Sequence, residues 1–534
     1  MNARELIEQG RTSLGIELGS TRIKACLVGE NPNEVLATGG VDWENQLDDG
    51  LWSYPLDQVW KGLQAAFAEL CEKVETAYGV RPTTFGAVGV SAMMHGYLAF
   101  DEDDKLLVPF RTWRNTNTGP AVEELTGLLG VNIPHRWSIA HLHQALLDDE
   151  PHVPQLRFIT TLSGYVHWKL TGRKVIGVGD ASGMFPIAKD TYDARMVAAY
   201  DAHTADSALA VPLVEVLPEV LVAGQDAGSL TAEGAALLDP SGALQPGIPL
   251  CPPEGDAGTG MVATNSVAPR TGNVSVGTSI FAMVVLERPF TAVHHEIDLV
   301  TTPAGDAVAM VHCNNGASEL AEWVGMFAEF ASLIGSEVPT GAVYDALFYE
   351  AENGAADAGG FLAYNHLAGE PIAGTDEGRP LFVRSPDSRF TLANVMRAQL
   401  YGVYATLALG MRVLDGEGVA IDQMFAHGGV FRTPRVAQRF LAAALDVPVA
   451  VGQSASEGGA WGIAVLAAYL RHAEKMSLGE YLNERIFAGE ELDVITPDAD
   501  DTAGFAAYLT RYQEALPLQQ TAVSALPATT TAQE

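Results

Sequence analysis

Basic residues and cysteines are scarce in this chain, and long apolar runs are missing. Only 31 Lys and Arg stand against 66 Asp and Glu, a formal charge of -35. Such a surface repels a phosphodiester backbone and an anionic bilayer face alike, so neither nucleic acid nor a membrane is expected as a partner. No stretch approaches the ~20 apolar residues that a membrane-spanning helix needs. The four cysteines, Cys26, Cys71, Cys251 and Cys313, are far apart and form no Cys-x-x-Cys pair. That spacing suggests neither a zinc site nor a disulfide framework, and points to buried thiols in a reducing compartment. The opening MNARELIEQGRTS lacks the apolar core of a secretory signal, so the cytoplasm is the expected location.

What is present is enough for two cores. A chain of 534 residues, 48% of them apolar, exceeds the roughly 250 to 300 residues at which one hydrophobic core stops growing. Residues 14–29, LGIELGSTRIKACLVG, set apolar runs on either side of a Gly-Ser-Thr turn, and residues 272–286, GNVSVGTSIFAMVVL, repeat the arrangement half a chain later. Each reads as two strands joined by a tight connection. Glycine lets a backbone approach a ligand, and Ser and Thr add hydroxyls to exposed N–H groups, so the two turns together could grip a polyphosphate. Either turn alone reads first as an ordinary hairpin. Between and after them, strand-like runs (85–93, 156–162, 422–427) alternate with helical patterns (55–78, 391–415, 434–445), the signature of an α/β architecture. The final TAVSALPATTTAQE is small, polar and aperiodic and reads as a disordered tail.

Six segments in order carry a more specific signal. They are GIELGSTRIKA at 15–25, SAMMHGYLAF at 91–100 with LVPFRTWRNT at 107–116, YVHWKLTG and GDASGMF at 165–185, PPEGDAGTG at 252–260, VSVGTS at 274–279 and HGGVF at 427–431. Together they resemble the FGGY carbohydrate kinases over residues 14–470. The resemblance implies two actin-like, ribonuclease H-like ATPase domains with a cleft between them: an N-terminal domain over 1–255 with the sugar site and first phosphate turn, and a C-terminal domain over 256–516 with the nucleotide site. Residues 517–534 are then the tail. It implies ATP and Mg²⁺ as cofactors, a small sugar as substrate and phosphorylation of a terminal hydroxyl. A ketopentose such as L-ribulose or D-xylulose is expected, and another polyol or a sugar acid is the alternative. A homodimer is compatible with it.

The same resemblance assigns roles. Asp256 becomes the catalytic base toward the sugar hydroxyl, in a reaction where positioning and charge neutralisation dominate; on its own, an Asp in a Gly-flanked loop is a turn former. Gly19, Ser20 and Thr21 line the phosphates from one domain and Gly277, Thr278 and Ser279 from the other. Lys24 either adds positive charge or is a surface lysine. Glu17 stands where relatives commonly have Asp, and with Asp256 it is the expected holder of Mg²⁺. Gly428 and Gly429 leave room for the adenosine, with Val430 in place of a frequent third glycine. Met94 and His95 match the Met-His pair that contacts sugar in xylulose-type members. Trp113, Arg114 and Asn115 replace a common Trp-Asn-Asp, which brings a cation to the substrate segment. His141 stands where Lys is common, and Trp137 is either a sugar platform or core. Two other classes fit parts of the pattern: a non-catalytic sugar and nucleotide sensor, and an actin-like ATPase acting on proteins.

Overall fold

The computed structural model describes residues 2–452 and 458–527. The chain falls into two compact units, Met1–Pro269 with Asp298–Val308 and Ser454–Gly489, and Arg270–Ile297 with Ala309–Gln453 and Glu490–Glu534. The polypeptide therefore passes between units several times rather than dividing once at 255/256. Among the described residues no helix is long and apolar enough to cross a membrane. All four cysteines are buried and free.

The first unit is built on five strands, Ser13–Leu18 (β1), Arg22–Val28 (β2), Val35–Asp42 (β3), Ala87–Ala92 (β4) and Glu254–Gly255 (β5), in the order β5-β4-β1-β2-β3. β1, β2 and β3 form an antiparallel meander, whereas β4 runs parallel to β1 and β5 parallel to β4. Every residue of β1 and β4 is buried, so their apolar residues fall on both faces of the strand instead of alternating with exposed polar ones. The helix Gly458–Tyr469 packs on this sheet so closely that a Cβ at Gly15 would lie 2.1 Å from the Ala460 carbonyl oxygen. Helix Leu56–Tyr78 covers β2 and β3.

In register, Leu18 and Gly255 both lie level with Ala92. The chain thus leaves β1, β4 and β5 at the same edge, where α/β sheets present ligand-binding loops. This shared edge gathers the turn after Leu18, the turn after Ala92 and Asp256.

The seven-stranded sheet comprises Thr271–Val276 (β6), Ile280–Val285 (β7), Ile297–Thr301 (β8), Ala307–Cys313 (β9), Gln423–Gly428 (β10), Val449–Val451 (β11) and Asp493–Ile495 (β12), in the order β8-β9-β7-β6-β10-β11-β12. The second unit's helix Leu392–Gly416 is buried along most of its length. β6 and β10 are parallel with Val276 opposite Gly428, so the turns following both strands leave from one edge, as in the first unit.

One expectation is overturned. The 517–534 tail begins as a helix, Pro517–Ala525. Buried Gln519 anchors it, accepting from the Arg379 N–H at 3.0 Å and donating to the Arg379 carbonyl at 2.8 Å. A single side-chain amide that satisfies both backbone groups of one residue replaces the apolar stripe whose absence suggested disorder. Residues 528–534 lie outside the described residues.

Candidate active site

Asp256 opens the helix Asp256–Ala263, with Gly255 as its N-cap. That position favours a carboxylate, since the free N–H groups and the helix dipole both present positive potential there. Its Oδ1 accepts from the Met94 backbone N–H at 3.1 Å, which ties the end of β5 to the turn after β4. Solvent reaches the Asp256 side chain, yet protein crowds it on most sides. Desolvation raises its pKa, opposed by the N–H groups of Met94 and Ala257 and by the charge of Arg136.

The turn after β4 is sharply constrained. His95 holds φ at 72° and Gly96 at 103°, a conformation that a non-glycine residue adopts at a cost of about 1–3 kcal/mol. Met94 and His95 are both buried. A Cβ at Gly183 would fall 2.5 Å from His95 Nδ1 and 2.9 Å from Met94 Cε, so a glycine there is what admits both side chains. Ser138 Oγ donates to the Gly96 carbonyl at 2.6 Å and holds the turn from behind.

At the end of β1, the carbonyls of Gly19 and Ser20 are tied down by the Trp43 indole at 2.7 Å and the Tyr54 hydroxyl at 2.6 Å. The Ser20 and Thr21 side chains remain exposed. Glu17, one residue before the end of β1, is buried, and Lys24 Nζ sits 3.7 Å from its Oε2. Burial raises the Glu17 pKa, Lys24 lowers it, and the charge of Asp256 raises it again. Glu17, Lys24, Asp256, Met94 and His95 are thus one cluster on one sheet edge.

Trp113 and Arg114 do not join that cluster through any direct contact with Asp256. Trp113 packs against the core. The exposed Arg114 lies on the Trp52 ring at 3.7 Å and donates to Asn45 Oδ1 at 3.1 Å. Trp137 is core, 1% exposed, and so is His141.

Behind Asp256 stands a pair that sequence reasoning missed. Glu254 and Asp180 are fully buried. Glu254 accepts from the Gly179 N–H at 3.3 Å and the Asp180 N–H at 3.0 Å. Asp180 accepts from Thr161 Oγ1 at 2.6 Å and from Ser163 Oγ. Burial pushes Asp180 up to about 7, against the pull of the two hydroxyls, and Glu254 up to about 8, with the Asp180 charge adding to the shift. A second missed pair is Arg136 with Asp298, whose charge links also reach Asp256 through Arg136.

In the second unit, Gly277 N–H donates to the Ser279 carbonyl at 2.9 Å, closing the β6–β7 turn. Gly316 and Ala317 N–H groups donate to the carbonyls of Thr278 and Gly277. With those carbonyls occupied, Gly277 and Thr278 are left exposed at the turn's tip. Gly428 holds φ at 125°, and a Cβ there would lie 2.0 Å from the Val276 carbonyl, so only glycine brings this turn beside the other.

Comparison with known proteins converges on one group. Residues 12–262 match the N-terminal domain of the FGGY family of carbohydrate kinases and residues 272–471 match its C-terminal domain. A xylulose kinase of Haemophilus influenzae is 21% identical over 432 residues, covering 78% of this chain and 82% of that protein. The crystal structure of a xylulose kinase from Rhodospirillum rubrum superposes with a TM-score of 0.76 at 21% identity, over 96% of this chain and 99% of that one. A gluconate kinase from Lactobacillus acidophilus gives 0.73 at 17% identity, over 97% and 98%.

Proposed function

The chain belongs to the FGGY family of carbohydrate kinases, and from that membership we propose that it moves the γ-phosphoryl group of ATP onto the terminal hydroxyl of a ketopentose, D-xylulose or L-ribulose. The carrying observation is Asp256: a carboxylate at a helix N-terminus, fastened by one oxygen to the Met94 N–H of a strained turn. In this reading the carboxylate takes the proton of an attacking alcohol. Phosphoryl transfer asks little covalent chemistry of a protein, so an aligned base and fixed donors supply most of what is needed.

Met94 and His95 are the sugar-binding residues of this reading, presented by that turn. Arg114 and Trp113 act on acceptor choice from the Trp52 and Asn45 side. Gly19, Ser20, Thr21 and Lys24 serve the terminal phosphates, Gly277, Thr278 and Ser279 the phosphates from the second unit, and Gly428 with Gly429 the adenosine. Glu17 and Asp256 fit Mg²⁺: both offer hard oxygen donors, and the repulsion by which Asp256 raises the Glu17 pKa is one that a divalent cation relieves. Bound there, Mg²⁺ would neutralise phosphate charge.

The pentulose assignment rests on the named relatives, and the gluconate kinase neighbour shows that one scaffold carries other acceptors. A panel of D-xylulose, L-ribulose, glycerol and gluconate with Mg²⁺ and ATP in a coupled ADP assay tests it. Turnover is expected on a pentulose and overturned by preference for glycerol or gluconate. Asp256→Asn keeps an oxygen for the Met94 N–H, so the fold should persist while kcat drops at least ~100-fold. Near-normal turnover of that variant removes Asp256 as the base.

A further inference from the structure

Away from Asp256, three helices of the first unit bring together one carboxylate and two imidazoles. Glu124 lies on Gly119–Leu129, His143 on Ser138–Leu147, and His203 ends Ala194–His203. One ligand atom from each falls within 4.8 Å of the other two. His203 Nε2 is 2.6 Å from Glu124 Oε1, and His143 Nε2 is 3.5 Å from Glu124 Oε2.

His143 is the informative member. It is 3% exposed, and neither of its ring nitrogens makes a hydrogen bond. A buried imidazole whose one polar neighbour is a carboxylate at 3.5 Å forfeits most of the hydration of its nitrogens, a cost that native structures do not leave uncompensated without reason. Burial also disfavours its charged form, which leaves a lone pair for a ligand. The open side of this ring faces the Glu124 carboxylate and the His203 ring, 5.7 Å away.

We propose that Glu124, His143 and His203 form a binding site for a divalent transition-metal ion of the Zn²⁺ class, with solvent as the fourth ligand. Two imidazoles and a carboxylate suit Zn²⁺, whose bonds to N and O of about 2.0–2.2 Å set tetrahedral ligands about 3.4 Å apart. The spacing here needs only a small rotation of Glu124 and His203, both at the surface, that opens their 2.6 Å contact and brings the three ligand atoms to that distance. Mg²⁺ prefers an all-oxygen shell and is the wrong ion for this set. The site is separate from Asp256 and Glu17, and its filling would clasp three helices together.

The test is a Zn²⁺ titration of the full chain, stripped with EDTA, by calorimetry and by metal analysis after dialysis. One Zn²⁺ per chain and a raised Tm are expected. His203→Ala and Glu124→Gln should weaken binding roughly 10-fold or more, while metal-stripped kinase activity with Mg²⁺ and ATP stays unchanged. Both positions are at the surface, so the variants fold. His295→Ala, on an exposed histidine elsewhere, should bind as the parent does. Absence of saturable binding, parental affinity in the His203 and Glu124 variants, or equal weakening by His295→Ala overturns the proposal.

Discussion

Asp180 and Glu254 cannot both carry charge inside the protein at neutral pH without a large cost, because neither has a cation beside it among the described residues. Their ordinary values are 3.8 and 4.5, and the fold lifts them to about 7 and about 8. In the unfolded chain they ionise first, so between about pH 4 and pH 8 the native state holds more protons and stability falls as pH rises. Glu254→Gln removes one of the two titrations. Urea unfolding across that range should show a shallower decline for the variant than for the parent; parallel curves would show that the pair does not titrate as described. Motifs such as GDASGMF and PPEGDAGTG are legible in the sequence because glycines and small polar residues mark turns. That Asp180 and Glu254 inside them are desolvated is not legible, since an Asp or Glu in a sequence ordinarily signals a wet surface.

At the scale of elements, the contrast between two glycines of the first unit is instructive. Gly15 in β1 faces the backbone of Gly458–Tyr469, where an added Cβ would meet the Ala460 oxygen at 2.1 Å and the Ala464 nitrogen at 2.6 Å. Backbone cannot yield as a side chain can, so Gly15→Ala should cost at least the ~1–3 kcal/mol of an overpacked core. Gly127, inside the helix Gly119–Leu129, has open space at that position. Gly127→Ala should instead gain about 0.4–1 kcal/mol by restricting the unfolded chain. Chemical denaturation of the two variants checks the opposite signs. Strands and helices were readable here from periodicity, as with 55–78 against Leu56–Tyr78 and 391–415 against Leu392–Gly416. The Pro517–Ala525 helix was not, because its anchor is one amide of Gln519 rather than a stripe. The Glu124, His143 and His203 cluster was equally hidden, its members being scattered over eighty residues of sequence and joined only by packing.

For the whole molecule, net charge and length bound the class of partner and the number of cores, and the family resemblance supplied the rest of the architecture. What neither conveys is the order in which the first unit can be completed. Its sheet is covered by Gly458–Tyr469, whose Trp461 Nε1 donates to the Pro32 carbonyl at 2.8 Å. On the ribosome, β1 and β4 therefore emerge more than three hundred residues before their cover, and the nascent sheet must wait with an apolar face bare. A gene encoding 1–269 alone should yield aggregated protein, while the same fragment made together with 270–534 should be recovered in solution. A monomeric, cooperatively melting 1–269 fragment would contradict this. The N-terminal half of this kinase is in that sense finished last, and its synthesis depends on whatever shields a bare sheet until translation ends.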